Sequence, residues 1–86
     1  MTEPEIRDAV RRVIAKVTNI KPEQLGDQTR FREDLAIDSL SLLEIRIEVD
    51  YRFQLGLPDG DERMGALNCV DDTVRFVQEL LAEKAA

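Results

Sequence analysis

Ile6, Ala9, Val10, Val13, Ile14 and Val17 recur at helical spacing near the start of the chain, and only an α-helix brings positions so spaced onto one face. Arg7, Arg11, Arg12 and Lys16 fall largely off that stripe. The segment is therefore amphipathic, and its apolar side must be buried against a partner element. Its start is marked by Thr2-Glu3-Pro4-Glu5, which reads as a capping box, with proline tolerated in the first turn. A helix over about residues 3–19 follows.

A comparable stripe near the other end comprises Val70, Val74, Val77 and Leu81, supplemented by Phe76 and Leu80. Asn68 with Asp71 three residues later marks its start, and the pattern predicts a helix over about 69–83. Between these helices, Asp38 is a good N-cap for a third periodic stretch at 39–53, which Gly56-Leu57-Pro58 stops. Residues 59–67 hold two glycines and predict only a short helix. Periodicity is lost over 20–37, where Lys21-Pro22-Glu23 and Gly26-Asp27 are turn signals. Large apolar residues there (Ile20, Leu25, Phe31, Leu35, Ile37) can tie an ordered loop to the core, with one short turn near Pro22–Leu25. The expected architecture is all-α: a single domain over 1–86, built as a four-helix bundle with one long and one short connection.

At 86 residues the core is small, and a buried catalytic cleft would use apolar volume the fold can barely spare. The chain has no histidine and one cysteine, Cys69. No Cys–His pair, histidine base, histidine metal ligand or internal disulfide can form. Cys69 reads as a small residue near the start of the last helix, without an evident second ligand for a metal. No run of about 18 apolar residues could cross a membrane, and the acidic start Met1-Thr2-Glu3-Pro4-Glu5 is unlike a signal peptide. The expectation is a cytoplasmic monomer. A net charge of -6 disfavours nucleic acid and favours partners with basic surfaces.

The stretch 39–53 carries two apolar faces rather than one. Leu42, Ile45, Val49 and Phe53 form one stripe; Leu40, Leu43 and Ile47 form another, about half a turn away. Glu44 and Glu48 flank the second stripe on one side and Asp50 on the other. A central helix could bury both. The alternative is that the longer stripe, ending in an aromatic, builds the core, and the other docks partners within an acidic rim.

Ser39 opens this helix. Taken alone it would be an ordinary helix-start residue, but its surroundings are distinctive. The segment Phe31-Arg32-Glu33-Asp34-Leu35-Ala36-Ile37-Asp38-Ser39-Leu40 resembles the attachment site of acyl carrier proteins, in which an aromatic, an acidic pair and a leucine precede Asp-Ser-Leu. Leu43-Glu44-Ile45 and the later Leu57-Pro58-Asp59 turn fit the same family, and the resemblance spans nearly the whole chain.

The resemblance implies that Ser39 accepts 4′-phosphopantetheine from coenzyme A through a phosphopantetheinyl transferase. The arm's thiol, not Cys69, would then hold acyl groups as thioesters. Asp38 and Leu40 flank the attachment point, and Asp38 caps the helix. Leu40, Leu43, Glu44, Ile47 and Glu48 match the family's recognition surface for basic-faced transferases, ketosynthases, acyltransferases or acyl-activating ligases. No metal or catalytic residue is implied. Departures are Ala36 where the family often has Gly, a longer segment around Gly60–Gly65, and cations at Arg46 and Arg52. These suggest a specialised carrier, of polyketide rather than housekeeping fatty-acid synthesis. Competing readings are a free-standing peptidyl or aminoacyl carrier with the same Ser39 chemistry, and a helical adaptor without a prosthetic group. A hydrolase using Ser39 is disfavoured by the lack of histidine.

Overall fold

In the computed structural model, residues 1–56 and 67–85 are described. They form three α-helices, α1 (Glu3–Thr18), α2 (Ser39–Phe53) and α3 (Val70–Ala85), with a 3₁₀ turn at Pro22–Gln24 and no strand among the described residues. The architecture is all-helical. The short helix expected within 59–67 lies, except for Leu67, outside the described residues, so the helix count there stands at three rather than four.

The capping box at the start of α1 is formed: Thr2 N–H donates to Glu5 Oε1 at 3.1 Å, and Glu5 N–H donates to Thr2 Oγ1 at 3.4 Å. α1 ends where Asn19 turns left-handed at φ 61 and its N–H reaches the Ala15 carbonyl at 2.9 Å. Ile6, Val10 and Ile14 from α1, Val49 from α2, and Val70, Val74 and Val77 from α3 meet in one core. α1 packs against both other helices.

The long loop is ordered by two means. Leu25, Phe31 and Ile37 are buried in the core, and each such side chain contributes about 1.5–3 kcal/mol when removed from water. Arg7 adds a polar tie, donating to Asp27 at 2.9 Å and to Asp71 at 3.1 Å, while Arg11 pairs with Asp27 and donates from Nε to the Leu25 carbonyl at 2.9 Å. One cluster thus links α1, the loop and the start of α3.

The start of α3 differs from the expected Asn68–Asp71 signal. The helix opens at Val70, and Asp72 N–H donates to Cys69 Sγ at 3.4 Å. The Asn68 side chain is not available to cap, because it faces the loop: its Oδ1 accepts from Arg32 N–H at 3.3 Å and its Nδ2 donates to Glu33 at 2.8 Å.

Candidate functional site

The site is the junction between the loop and α2. Phe31 anchors its upstream side, fully buried, with its N–H on the Asn68 carbonyl at 2.7 Å. The Phe31 carbonyl then accepts Ile37 N–H at 2.9 Å, drawing the chain back toward the helix. Arg30 and Asp34 brace the turn, with Arg30 N–H donating to Asp34 Oδ2 at 2.8 Å. Ala36 completes the reversal in the left-handed region, at φ 53.

Asp38 is the N-cap of α2. Its Oδ1 accepts Ser41 N–H at 2.8 Å and its carbonyl accepts Leu42 N–H at 3.0 Å. The Ser41 amide holds the Asp38 carboxyl below its ordinary pKa, because that bond favours the charged form. Ser39 follows as the first residue of α2 and is exposed. Its amide and that of Leu40 lie in the first turn, where N–H groups have no intrahelical acceptor. No described residue hydrogen-bonds the Ser39 hydroxyl.

The two faces of α2 separate as the stripe pattern suggested. Leu42, Ile45, Val49 and Phe53 are between 0% and 7% exposed. Leu40, Leu43 and Ile47 are 66%, 48% and 59% exposed. Glu44 is exposed beside them. Glu48 is half-buried and has Lys16 Nζ at 3.4 Å, so its charge is shared with α1. One residue of this face was missed in the sequence reading: Tyr51, 82% exposed. Its position four residues after Ile47 was the available signal.

Cys69 is buried, and burial pushes its thiol pKa up. No cluster of metal-ligating side chains occurs among the described residues. No described helix is long and apolar enough to cross a membrane.

Comparison with known proteins accords with this geometry. A family model described as a phosphopantetheine attachment site matches residues 8–77. The meromycolate extension acyl carrier protein of Mycobacterium tuberculosis H37Rv is 34% identical over 83 residues, covering 96% of this chain and 70% of that one. An acyl carrier protein of Rhodococcus erythropolis is 34% identical over 84 residues, covering 98% and 90%. The solved acyl carrier protein of Enterococcus faecalis superposes with a TM-score of 0.71 at 28% identity, covering 92% and 98% of the two chains. Proteins of this kind carry acyl intermediates on a covalent 4′-phosphopantetheine and are carriers rather than catalysts. With the attachment model spanning most of its length and acyl carrier proteins matching it nearly end to end, this chain belongs to the acyl carrier protein family.

Proposed function

We propose that Ser39 bears the 4′-phosphopantetheine, that a phosphopantetheinyl transferase places it there from coenzyme A, and that Leu40, Leu43, Glu44, Ile47 and Glu48 form the face on which partner enzymes dock. The observation that carries this reading is the exposed Ser39 hydroxyl at the first position of α2, inside the stretch matched by the attachment model.

The residues present fit the group. Ser39 is exposed, and the amides at the mouth of α2 together with the helix dipole favour a phosphodiester at that point. Bound there, the group supplies a terminal thiol that holds the acyl chain as a thioester. Asp38 keeps the first turn wound through its bond to Ser41, which holds the Ser39 backbone at the first helical position. An autonomous serine nucleophile would need an adjacent base, and the chain has no histidine to supply one. Ser39 therefore requires accessibility to a modifying enzyme more than reactivity of its own.

In this reading the chain works in the cytoplasm as one carrier domain and a monomer. It presents its cargo to ketosynthases, acyltransferases or acyl-activating ligases with basic docking surfaces. A cargo of the fatty-acid or polyketide type is supported over an amino acid by the near full-length similarity to carriers named for meromycolate extension.

Incubation with coenzyme A and a purified phosphopantetheinyl transferase, followed by intact mass spectrometry, tests the assignment. One phosphopantetheine is expected on the parent and none on Ser39→Ala. No addition to the parent, or the same addition to the variant, would overturn it.

A further inference from the structure

The start of α3 grips the long loop at successive points. Asp71 N–H donates to the Asp27 carbonyl at 3.0 Å, and Gln28 Nε2 donates to Asp71 Oδ2 at 3.0 Å. Farther along the loop the bonds converge on Asn68. Its carbonyl takes the Phe31 N–H at 2.7 Å, its Oδ1 takes the Arg32 N–H at 3.3 Å, and its Nδ2 donates to Glu33 Oε2 at 2.8 Å. Asn68 is itself tied to the first turn of α3, where its N–H donates to Asp72 Oδ2 at 3.3 Å.

Past Glu33 the turn closes on itself. The Asp34 and Leu35 N–H groups donate back to the Arg30 carbonyl at 3.0 and 3.2 Å, and the Ile37 N–H donates to the Phe31 carbonyl at 2.9 Å. Asn68 thus holds the turn from which the chain leaves for Asp38 and Ser39. It does so through three different polar groups on three consecutive residues, so the turn cannot slide along α3 without losing all three bonds. The bond to Glu33 has an ionised acceptor, which makes it the stronger kind.

Modification makes a demand on that placement. The Ser39 oxygen must bond to the phosphorus that bears the pantetheine while the diphosphate P–O bond breaks. Adenosine 3′,5′-bisphosphate leaves with the electron pair, and the hydroxyl proton passes to a base on the transferase. A misplacement of about 1 Å in such a step can cost about a hundredfold in rate. We infer that Asn68 is a positioning residue for this reaction: by clamping Phe31, Arg32 and Glu33 to α3, it sets where the loop delivers Ser39. This rests on the reading of Ser39 as the attachment point.

The test follows single-turnover transfer from coenzyme A with purified phosphopantetheinyl transferase in excess, which separates the chemical step from product release. Asn68→Ala is expected to lower the maximal rate about tenfold. The transferase concentration giving half that maximum should not change, because the exposed face of α2 is intact. Glu33→Ala removes one of the three bonds and should slow transfer less. Added to Asn68→Ala it should cost nothing further, since that bond is already gone. Val49→Ala loosens the core without touching the clamp and should keep the parent rate, while thermal melting checks that each variant is folded. A parent-like rate in Asn68→Ala, an equal loss in Val49→Ala, or losses from Asn68→Ala and Glu33→Ala that multiply would each overturn the inference. So would a weakened half-maximum with the maximal rate intact. Continued modification of Ser39→Ala would instead sink the attachment reading, so the two failures are distinguishable.

Discussion

The Asn68 carbonyl accepts the Phe31 amide at 2.7 Å, and the Asn68 side chain closes on the next two residues of the loop. Because the Phe31 carbonyl in turn holds Ile37 N–H, the start of α3 is coupled to the residue just before the α2 cap. Asn68→Ala removes the side-chain bonds and leaves the backbone one. It should lower stability by about 1 kcal/mol in urea unfolding, with faster hydrogen exchange at the Arg32 amide. Unchanged exchange at Arg32 would show that the Asn68 side chain does not hold the loop in solution.

Ala36, at φ 53, occupies a backbone region that L-residues enter at a cost of about 1–2 kcal/mol. This gives a physical reason why glycine is common at this position in the family. Ala36→Gly relieves the strain but adds freedom to the unfolded chain, which offsets about 0.4–1 kcal/mol of the gain. The net expectation is a rise in the urea midpoint, while Ala36→Val, with a branched side chain in the same conformation, should lower it. A Gly variant no more stable than the Val variant would contradict the left-handed assignment.

Much of this was legible in the sequence, for identifiable reasons. α1 and α2 were marked by periodic stripes and by caps that act within a few residues, as Thr2–Glu5 and Asp38–Ser41 do. Ser39 and the exposed Leu40, Leu43 and Ile47 followed from the two-faced pattern combined with the family resemblance. Asn68 marked the start of α3 within two residues, but its side-chain bonds to Arg32 and Glu33 could not be read, because those partners are distant in sequence. The Arg7–Asp27–Asp71 cluster was hidden for the same reason, since nothing local indicates which of many surface charges meet. Glu48 was read as rim charge alone; its pairing with Lys16 depends on how α1 packs against α2. Tyr51 was left out of the second stripe, although its spacing of four from Ile47 places it there.

The two faces of α2 should respond oppositely to truncation. Val49 is fully buried, so Val49→Ala removes two methyl groups from the core and should cost about 2 kcal/mol. Ile47 is largely exposed, and Ile47→Ala should change stability by no more than about 0.5 kcal/mol while weakening partner binding. Glu44→Lys should likewise spare helix content and reduce affinity for a basic-faced enzyme. Urea unfolding and transferase KM measured on the same variants separate the roles. If Ile47→Ala were as destabilising as Val49→Ala, both faces of α2 would belong to the core.

Acid should be the condition that loosens the region around Ser39. The carboxyls of Glu33, Asp34, Asp38 and Asp71 are all held below their ordinary pKa, by the Asn68 amide, the Arg30 backbone N–H, the Ser41 backbone N–H and the Arg7 guanidinium respectively. A folded-state pKa below the unfolded one stabilises the fold above the unfolded value, near pH 4, and that contribution is lost as pH falls through the folded values. With no histidine in the chain, stability should be nearly flat between about pH 6 and 8. It should then fall steadily below about pH 4 in thermal melts. Asp38→Asn isolates the contribution of one carboxyl, because asparagine also caps helices well but does not titrate. Its melting temperature at neutral pH should stay close to the parent's, and its loss on acidification should be shallower. An equally steep acid limb in that variant would mean that protonation of Asp38 does not help unwind the first turn of α2.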